Sequence, residues 1–538
     1  MSSQENVTPL ELTPSPTRLL VVSNRLPVVL LKNKNNNGWS SKTGSGGLVS
    51  ALMPVLRDRG GMWIGWPGVV DEAGSISEYL DTLSDEAGYG LKAVDLSEDE
   101  VHGFYEGFSN EVIWPLFHDL RADCYFDPAH WRAYRDVNRK FARKVADTCR
   151  PGDVVWVHDY HLIGVAAGLR RQGITNKIGF FLHIPFPPPD IFLKLPWRAD
   201  ILSGLLEYDL VGFQTLRDRR NFQRCLKALY KVTVTGKGQV QEVLATPLKT
   251  GIGDGRMKQL RVGSFPISID FEHYASLAKS DRVSSELQAL TDTFGDRRMI
   301  LSVDRLDYTK GLLAKLRAFQ LLLERHPDLH ENVVLSLHVV PSRENIPQYH
   351  KLRIELEQQI SEINGRWSSA SWIPVHYFYH SMAPEQLSAY YRRADIMFVT
   401  PLKDGMNLVA KEYCASHPND DGLLVLSEFA GAAAELQKGA LLINPYDDEG
   451  TAETLYEATK MSADEIRWRM TKLRRKIRRY DIYRWVNSFL HAIAGRDLRD
   501  FPLIEDYVPG PPPEEQVAQP RPIRQLTRGS HVVQTPSS

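Results

Sequence analysis

A chain of 538 residues with 43% apolar and 10% aromatic side chains has the material for two or more packed domains, which excludes a disordered scaffold. Its 65 basic and 66 acidic residues leave a formal charge of -1. No global field therefore draws it to nucleic acid or an anionic membrane, and an anionic ligand must be met by a local group of Arg and Lys. The four cysteines, Cys124, Cys149, Cys225 and Cys414, show neither CxxC nor zinc spacing, which fits a reducing, cytoplasmic setting.

Residues 1–18 are polar and Pro-bearing and read as a disordered N-terminus; the apolar run at 19–22 is too short for a signal segment or a membrane span. Short apolar, β-rich runs follow at 19–22, 154–157, 178–182 and 210–213, with helix-period stretches such as 131–146 and 218–230 between them. Such alternation predicts an α/β fold with a parallel sheet covered on both faces. The stretch 231–262, rich in Thr, Val, Gly and Lys, reads as a hairpin excursion. After Phe265 the alternation restarts at 299–303, 333–340, 396–399, 423–426 and 440–443, and helices at 463–479 and 483–494 close the fold. The expected division is a Rossmann-like domain at 19–267, a second at 268–480 and a closing helical segment at 481–507. A Pro-, Gln- and Ser-rich tail at 508–538 is expected to be disordered.

Two doubly wound domains in one chain set the crevices at the carboxyl ends of their strands opposite one another across a central cleft, so function is sought at strand ends. The first strand ends in Ser23-Asn24-Arg25, with Gly44, Gly46 and Gly47 a little further on. An Arg beside a Gly-rich turn suits an anion, because glycine lets backbone N–H groups approach phosphate or sugar oxygens, though a surface Arg and an ordinary turn would look the same. Two further strands end in His158-Asp159-Tyr160-His161 and in His183. Polar groups that follow buried strands usually line a site, while a single such histidine is commonly a satisfied core residue. His158 and His161 make a poor metal pair, since their side chains diverge at a strand end.

In the second half Arg305 and Lys310 follow one strand and Arg343 another, a set suited to clamping phosphate, with surface salt bridges as the alternative. Beyond 396–399, Asp404-Gly405-Met406-Asn407 can open a helix that carries Glu412. Its N-terminus would offer free N–H groups to a diphosphate, and its two carboxylates, near one helical face, would accept from sugar hydroxyls. No GxxxxGK[ST], HExxH, GxSxG or DxD occurs, and the GIGDG run at 251–255 reads as a turn.

The ordered motifs SNRLP, GSGGL, GGMWIGWPG, FYEGFSNEVIWPLFH, WVHDYHL, GFFLHIPFP, DLVGFQT, SVDRLDYTKG, PSR, TPLKDGMNLVAKEY and LSEFAGAAAEL resemble those of the trehalose-6-phosphate synthases, over about residues 19–489. These are retaining glycosyltransferases of the two-Rossmann-domain type called GT-B. The resemblance implies that Arg305 and Lys310 hold the diphosphate of UDP-glucose. The Asn407-Leu408 backbone would cap the donor phosphates, with Gly405, Met406 and Val409 also in the donor site, and Glu412 would take the ribose hydroxyls. Asp404 and His183 would grip the donor glucose, with Gly47 close by. Asp159 and Trp114 would bind the glucose ring of glucose-6-phosphate, and Arg25, Tyr105 and Arg343 its phosphate. The catalytic set implied is Asp159, His183, Arg305, Lys310 and Asp404.

Fixed cations and helix N–H groups stabilise the departing diphosphate in this scheme, so no metal or other cofactor is expected. The expected partners are the two small-molecule substrates, without nucleic acid or membrane; homo-oligomer formation stays open. The loop after His183, PFPPPDIFLKLPWR, departs from the Ser or Thr followed by Glu of many synthases. Two alternatives are a glucosylglycerol-phosphate synthase using glycerol-3-phosphate and a non-catalytic regulatory subunit. Retention of Arg25 argues against the first, and the intact set of site residues against the second. No fused phosphatase is expected, since no DxD occurs. The residues themselves leave UDP-, ADP- and GDP-glucose open, because base readout depends on loop geometry; UDP comes from the resemblance.

Overall fold

The computed structural model describes residues 18–498 apart from 33–38, 45–46, 71–72, 121–123, 250–252, 344–345 and 497. The expected disordered N-terminus, all but residue 18, and the expected tail lie outside the described residues. The first half carries β1 (Leu19–Arg25), the antiparallel pair β2 (Val28–Lys32) and β3 (Trp39–Thr43), β4 (Gly61–Trp66) and β5 (Gly90–Ala93). There follow β6 (Val154–His158), β7 (Lys177–Phe181), β8 (Leu210–Phe213), β9 (Tyr230–Thr235), β10 (Val240–Pro247) and β11 (Lys258–Ser264). The second half carries β12 (Arg298–Arg305), β13 (Val333–Val340), β14 (Val375–Phe378), β15 (Ile396–Val399), β16 (Leu423–Ser427) and β17 (Leu441–Ile443).

The first sheet runs β5-β4-β1-β6-β7-β8-β11-β10-β9, parallel through β11 and antiparallel beyond. The 231–262 excursion is therefore the β9–β10–β11 meander, with β11 paired in parallel with β8. The second sheet runs β14-β13-β12-β15-β16-β17, parallel throughout. Both are doubly wound. Strand order reverses between β1 and β6 in one and between β12 and β15 in the other, and a ligand crevice belongs outside the carboxyl ends of strands at such a switch point. Arg25 and His158 end the first pair of strands; Arg305 ends β12, and Asp404 follows β15.

The central parallel strands, such as β1, β8, β12, β13, β15 and β16, are buried on both faces, which is why they read as apolar runs. In β6, Trp156 joins one core layer, while Val155 and Val157 join the other. The closing helix Ile482–Ile493 returns to the first sheet, with Phe489 stacked on Trp156 at a centroid distance of 4.3 Å. Its Trp485 Nε1 donates to the Phe265 carbonyl (3.0 Å) and its Ile482 N–H to that of Ile269 (3.0 Å), so it also ties down the crossover between the sheets. The preceding helix, Ala463–Arg479, shows why the periodicity was legible. Ser462 caps it by accepting from Glu465 N–H, Asp464 and Glu465 open it, and Lys476, Arg478 and Arg479 close it. Met470, Leu473 and Ile477 form the buried stripe.

One segment departs from ordinary helical hydrogen bonding. Val101–Ile113 winds as a π-helix with i→i+5 hydrogen bonds, although its buried Phe104, Phe108 and Val112 keep the i, i+4, i+8 spacing of an ordinary helix, so sequence periodicity does not distinguish the two. Among the described residues no helix is long and apolar enough to cross a membrane.

Candidate active site

At the end of β1, Ser23 Oγ donates to the Arg25 carbonyl (2.6 Å) and accepts from Trp63 Nε1 (2.7 Å), which fixes the strand's exit. The Arg25 guanidinium lies 4.1 Å from the ring centroid of Trp66 and 5.8 Å from that of Tyr105. Gly68, at φ 89°, makes room for it: a Cβ there would overlap the guanidinium. Burial pulls the Arg25 pKa down, with Tyr105 opposing. The WIGWPG motif thus supplies Trp66 as a floor and Gly68 as a gap, two roles the sequence did not reveal. Gly47 opens the helix Gly47–Arg59; Ser45 and Gly46 lie outside the described residues.

At the end of β6, Asp159 sits at φ 73° with its Oδ1 accepting from His183 N–H (3.2 Å). Burial pushes this carboxyl up to about 6, against the opposing backbone N–H groups of Tyr160 and His183 and the charges of Arg305 and Arg343. His158 Nδ1 lies 3.1 Å from His183 Nε2. From the π-helix, Asn110 Oδ1 accepts from Tyr160 OH (2.9 Å), and Tyr105 stacks on His161.

Trp114 joins the two halves. Arg343 lies 4.1 Å and Arg305 5.9 Å from its ring, so an aromatic face from the first half meets two cations from the second. Four residues later His118 Nδ1 bonds the Trp114 carbonyl (2.8 Å). Burial pulls His118 down to about 4 despite that bond and the charges of Asp307 and Asp404, so it stays neutral at the seam. Only the topology exposes His118 as a site residue.

In the second half, Asp307 organises the cations. Arg343, at φ 50°, donates from Nη1 to Asp307 Oδ2 (3.1 Å) and to Tyr349 OH, and from Nη2 to Tyr160 OH (3.4 Å) across the cleft. Burial alone would push Asp307 up, but Arg343, Arg305 and Lys310 together hold it below the usual range. Arg343 is thus a buried, paired residue, not a free member of one cation clamp. Asp307 Oδ1 also caps the turn of Lys310 by accepting from Thr309 N–H (3.0 Å). Gly311 follows at φ 65°, where a Cβ would overlap the Thr400 carbonyl.

Lys310 Nζ donates to Asp404 Oδ2 (2.6 Å), and Asn407 Nδ2 reaches the same oxygen (3.4 Å). Burial, the largest single influence, would raise Asp404, but Lys310 together with His118 and Arg305 holds it below the usual range, so the carboxylate stays ionised. Asp404 and Glu412 do not share a helical face. The helix starts only at Leu408, capped by Asn407 at φ 95° with its Oδ1 accepting from Ala410 N–H (3.0 Å). Asp404 instead bridges Ala430, with Gly431 N–H donating to the Asp404 carbonyl (3.1 Å) and Ala432 N–H to that of Met406 (3.0 Å). The physical reason is competition: this loop pairs with the loop after β16 before any helical turn can form. Gly405 lies where its backbone meets His183 on one side and Gly431 on the other, leaving no space for a side chain.

Met406 is buried, and Leu408 and Val409 form the first helical turn beside it. Glu412 Oε2 accepts from Tyr391 OH (2.9 Å); burial raises its pKa, and Tyr391 and Tyr274 oppose. Among the described residues no group of three or more His, Cys, Asp and Glu is placed to hold a metal ion. Positive charge at the cleft comes from Arg and Lys.

The model of glycosyltransferase family 20 matches residues 17–495. A trehalose-6-phosphate synthase of Mycobacterium leprae is 41% identical over 485 residues, 89% of this chain and 95% of that protein. A bifunctional trehalose-6-phosphate synthase/phosphatase of Thermoproteus tenax is 40% identical over 495 residues, 90% of this chain; the chain spans 64% of that relative's length. Among solved structures, the Burkholderia xenovorans alpha,alpha-trehalose-phosphate synthase (UDP-forming) in complex with glucose-6-phosphate matches with a TM-score of 0.78 and 34% identity, over 89% of this chain and 100% of that one. An E. coli structure bound with UDP-2-fluoro glucose matches with a TM-score of 0.77 and 35% identity, over 88% of this chain and 98% of that one.

Proposed function

This chain belongs to glycosyltransferase family 20, and from that premise we propose that it transfers glucose from UDP-glucose to glucose-6-phosphate with retention, giving trehalose-6-phosphate and UDP. The observation that carries the reading is the pairing across the cleft. Lys310 on Asp404, Arg305 over Trp114 and the Asn407-capped helix belong to the second half, and Arg25 over Trp66 to the first; on this reading the former would meet the donor diphosphate, and Asp159, Trp114 and Arg25 the acceptor.

The chemistry follows from where charge develops. As the C1–O bond to the diphosphate breaks, the sugar gains oxocarbenium character and the leaving oxygen gains negative charge. Lys310, Arg305 and the N–H groups opening the helix at Leu408 meet that charge without reorganising. The acceptor hydroxyl attacks C1 from the same face, and its proton passes to the departing phosphate oxygen, so no side-chain nucleophile takes part. Asp159 and His183 orient the two sugars, and Glu412 accepts from the donor ribose. The reading includes a cytoplasmic setting, on the sequence ground that the four cysteines show neither CxxC nor zinc spacing.

Purified protein is expected to release UDP from UDP-glucose only when glucose-6-phosphate is present, at a rate that EDTA leaves unchanged. Equal rates with glycerol-3-phosphate would reassign the acceptor. Loss of activity in EDTA, restored by magnesium or manganese, would overturn the metal-free scheme.

The acceptor phosphate carries its charge before and after transfer, so its clamp supplies binding rather than rate. Arg25→Ala and Arg343→Ala should each raise the KM for glucose-6-phosphate by about ten- to a hundredfold, the worth of a charged hydrogen bond. Donor KM should barely move. A variant at Arg343 that weakened UDP binding while sparing the acceptor would place this arginine in the wrong half-site.

A further inference from the structure

His158 is the last residue of β6 and is fully buried. Its ring lies against Trp156 (4.7 Å between centroids), Trp485 (6.4 Å) and Phe181 (6.5 Å). Within that aromatic wall its Nε2 has no hydrogen-bond partner, and its Nδ1 lies 3.1 Å from His183 Nε2. One of these two facing nitrogens carries a proton and the other accepts. If His183 donated, His158 would have to carry its proton on Nε2, as a buried N–H with nothing to receive it. A buried bare nitrogen costs less than a buried orphan N–H, so His158 donates from Nδ1 and His183 accepts at Nε2. The proton of His183 is then left on Nδ1. Burial pulls His158 well below its ordinary value and His183 to about 3, so neither ring takes a second proton near neutral pH.

The rest of His183 is held as well. Its N–H donates to Asp159 Oδ1, and its carbonyl lies against Gly405, where a Cβ would overlap it. With the backbone clamped from both halves, the ring's remaining freedom is rotation about its own side-chain bonds, which the His158 bond removes. We infer that His158 is a positioning residue that fixes the tautomer and ring orientation of His183, so that His183 presents an Nδ1–H donor to a hydroxyl oxygen of the donor sugar. The inference rests on reading the cleft as a UDP-glucose site.

The test compares UDP-glucose with UDP, which lacks the sugar that His183 would meet. Calorimetric titration of His158→Leu should show UDP-glucose binding weakened by about tenfold, the size of one lost hydrogen bond, with UDP weakened by less than about twofold. His158→Asn, whose amide N–H occupies the place of Nδ1–H, should stay within about threefold of the unaltered protein, whereas His158→Gln, whose amide reaches toward the Nε2 position, should behave like Leu. Turnover should follow UDP-glucose affinity across the series. The Asn and Gln pair decides the matter even if the Leu variant fails to fold. Equal loss of UDP and UDP-glucose in Asn and Gln alike would mean a merely structural role, and unchanged UDP-glucose binding in Gln would overturn the tautomer argument. Failure of the unaltered protein to bind UDP-glucose or UDP would remove the functional reading along with this one.

Discussion

Turnover is expected to fall by about two orders of magnitude or more in Lys310→Ala and in Arg305→Ala, the scale seen when a developing transition-state charge loses a fixed donor. For Lys310 the loss has two parts. The ammonium that would meet the diphosphate is gone, and Asp404 loses the 2.6 Å partner that keeps it ionised. Because burial is the largest influence on Asp404, its pKa should climb once Lys310 is removed. The pH profile of the Lys310 variant should therefore lose activity on its acidic side at a higher pH than that of the unaltered protein. Arg305 lies over Trp114 and lowers Asp404 less than Lys310 does, so its variant should shift the acidic limb by less. Steady-state turnover with both substrates saturating checks the first expectation. Values within threefold of the unaltered protein in either variant would remove that cation from the reaction.

The largest stability effect is expected at Lys315→Met. Lys315 Nζ donates to Asp304 Oδ2 (2.7 Å) and to Ser302 Oγ, and the side chains of the ion pair are 0% and 4% exposed. Burial lowers the Lys315 pKa, and Asp304 opposes it. Removing the lysine leaves a carboxylate in the core without its counter-charge, which costs about 3–5 kcal/mol. Replacing both partners, as in Lys315→Met with Asp304→Leu, should recover most of that loss, since two apolar groups of similar size need no pairing. The thermal midpoints of the single and double variants test this. A single variant as stable as the unaltered protein would show that Asp304 finds another partner. The pair also bears on function: Asp304 precedes Arg305 on β12, and Lys315 lies in the first turns of the helix Leu312–Arg325, just after Lys310. It anchors both ends of the loop between Arg305 and Lys310.

Much of this protein is written in local sequence. Parallel strands buried on both faces appear as apolar runs, so 154–157, 333–340 and 396–399 were readable as strands and their polar successors as site candidates. The capped, charge-biased helix at Ala463–Arg479 was equally plain. Sequence order also placed Arg25, Asp159, His183, Arg305, Lys310 and Asp404 at strand ends.

Tertiary structure alone decided how these residues meet. Arg343 reaches Tyr160 across 183 positions, Lys310 finds Asp404 across 94, and His158 finds His183 across 25. It also decided that Asp404 lies on a bridge to Ala430 and not on the Glu412 helix, and that Trp66, Gly68 and His118 belong to the cleft. Periodicity reports which face of an element is buried, a property of neighbours three or four residues apart. Partnership between charged groups depends instead on strand order and on the loops that compete for each backbone N–H, and those are set only when both sheets have closed on one another.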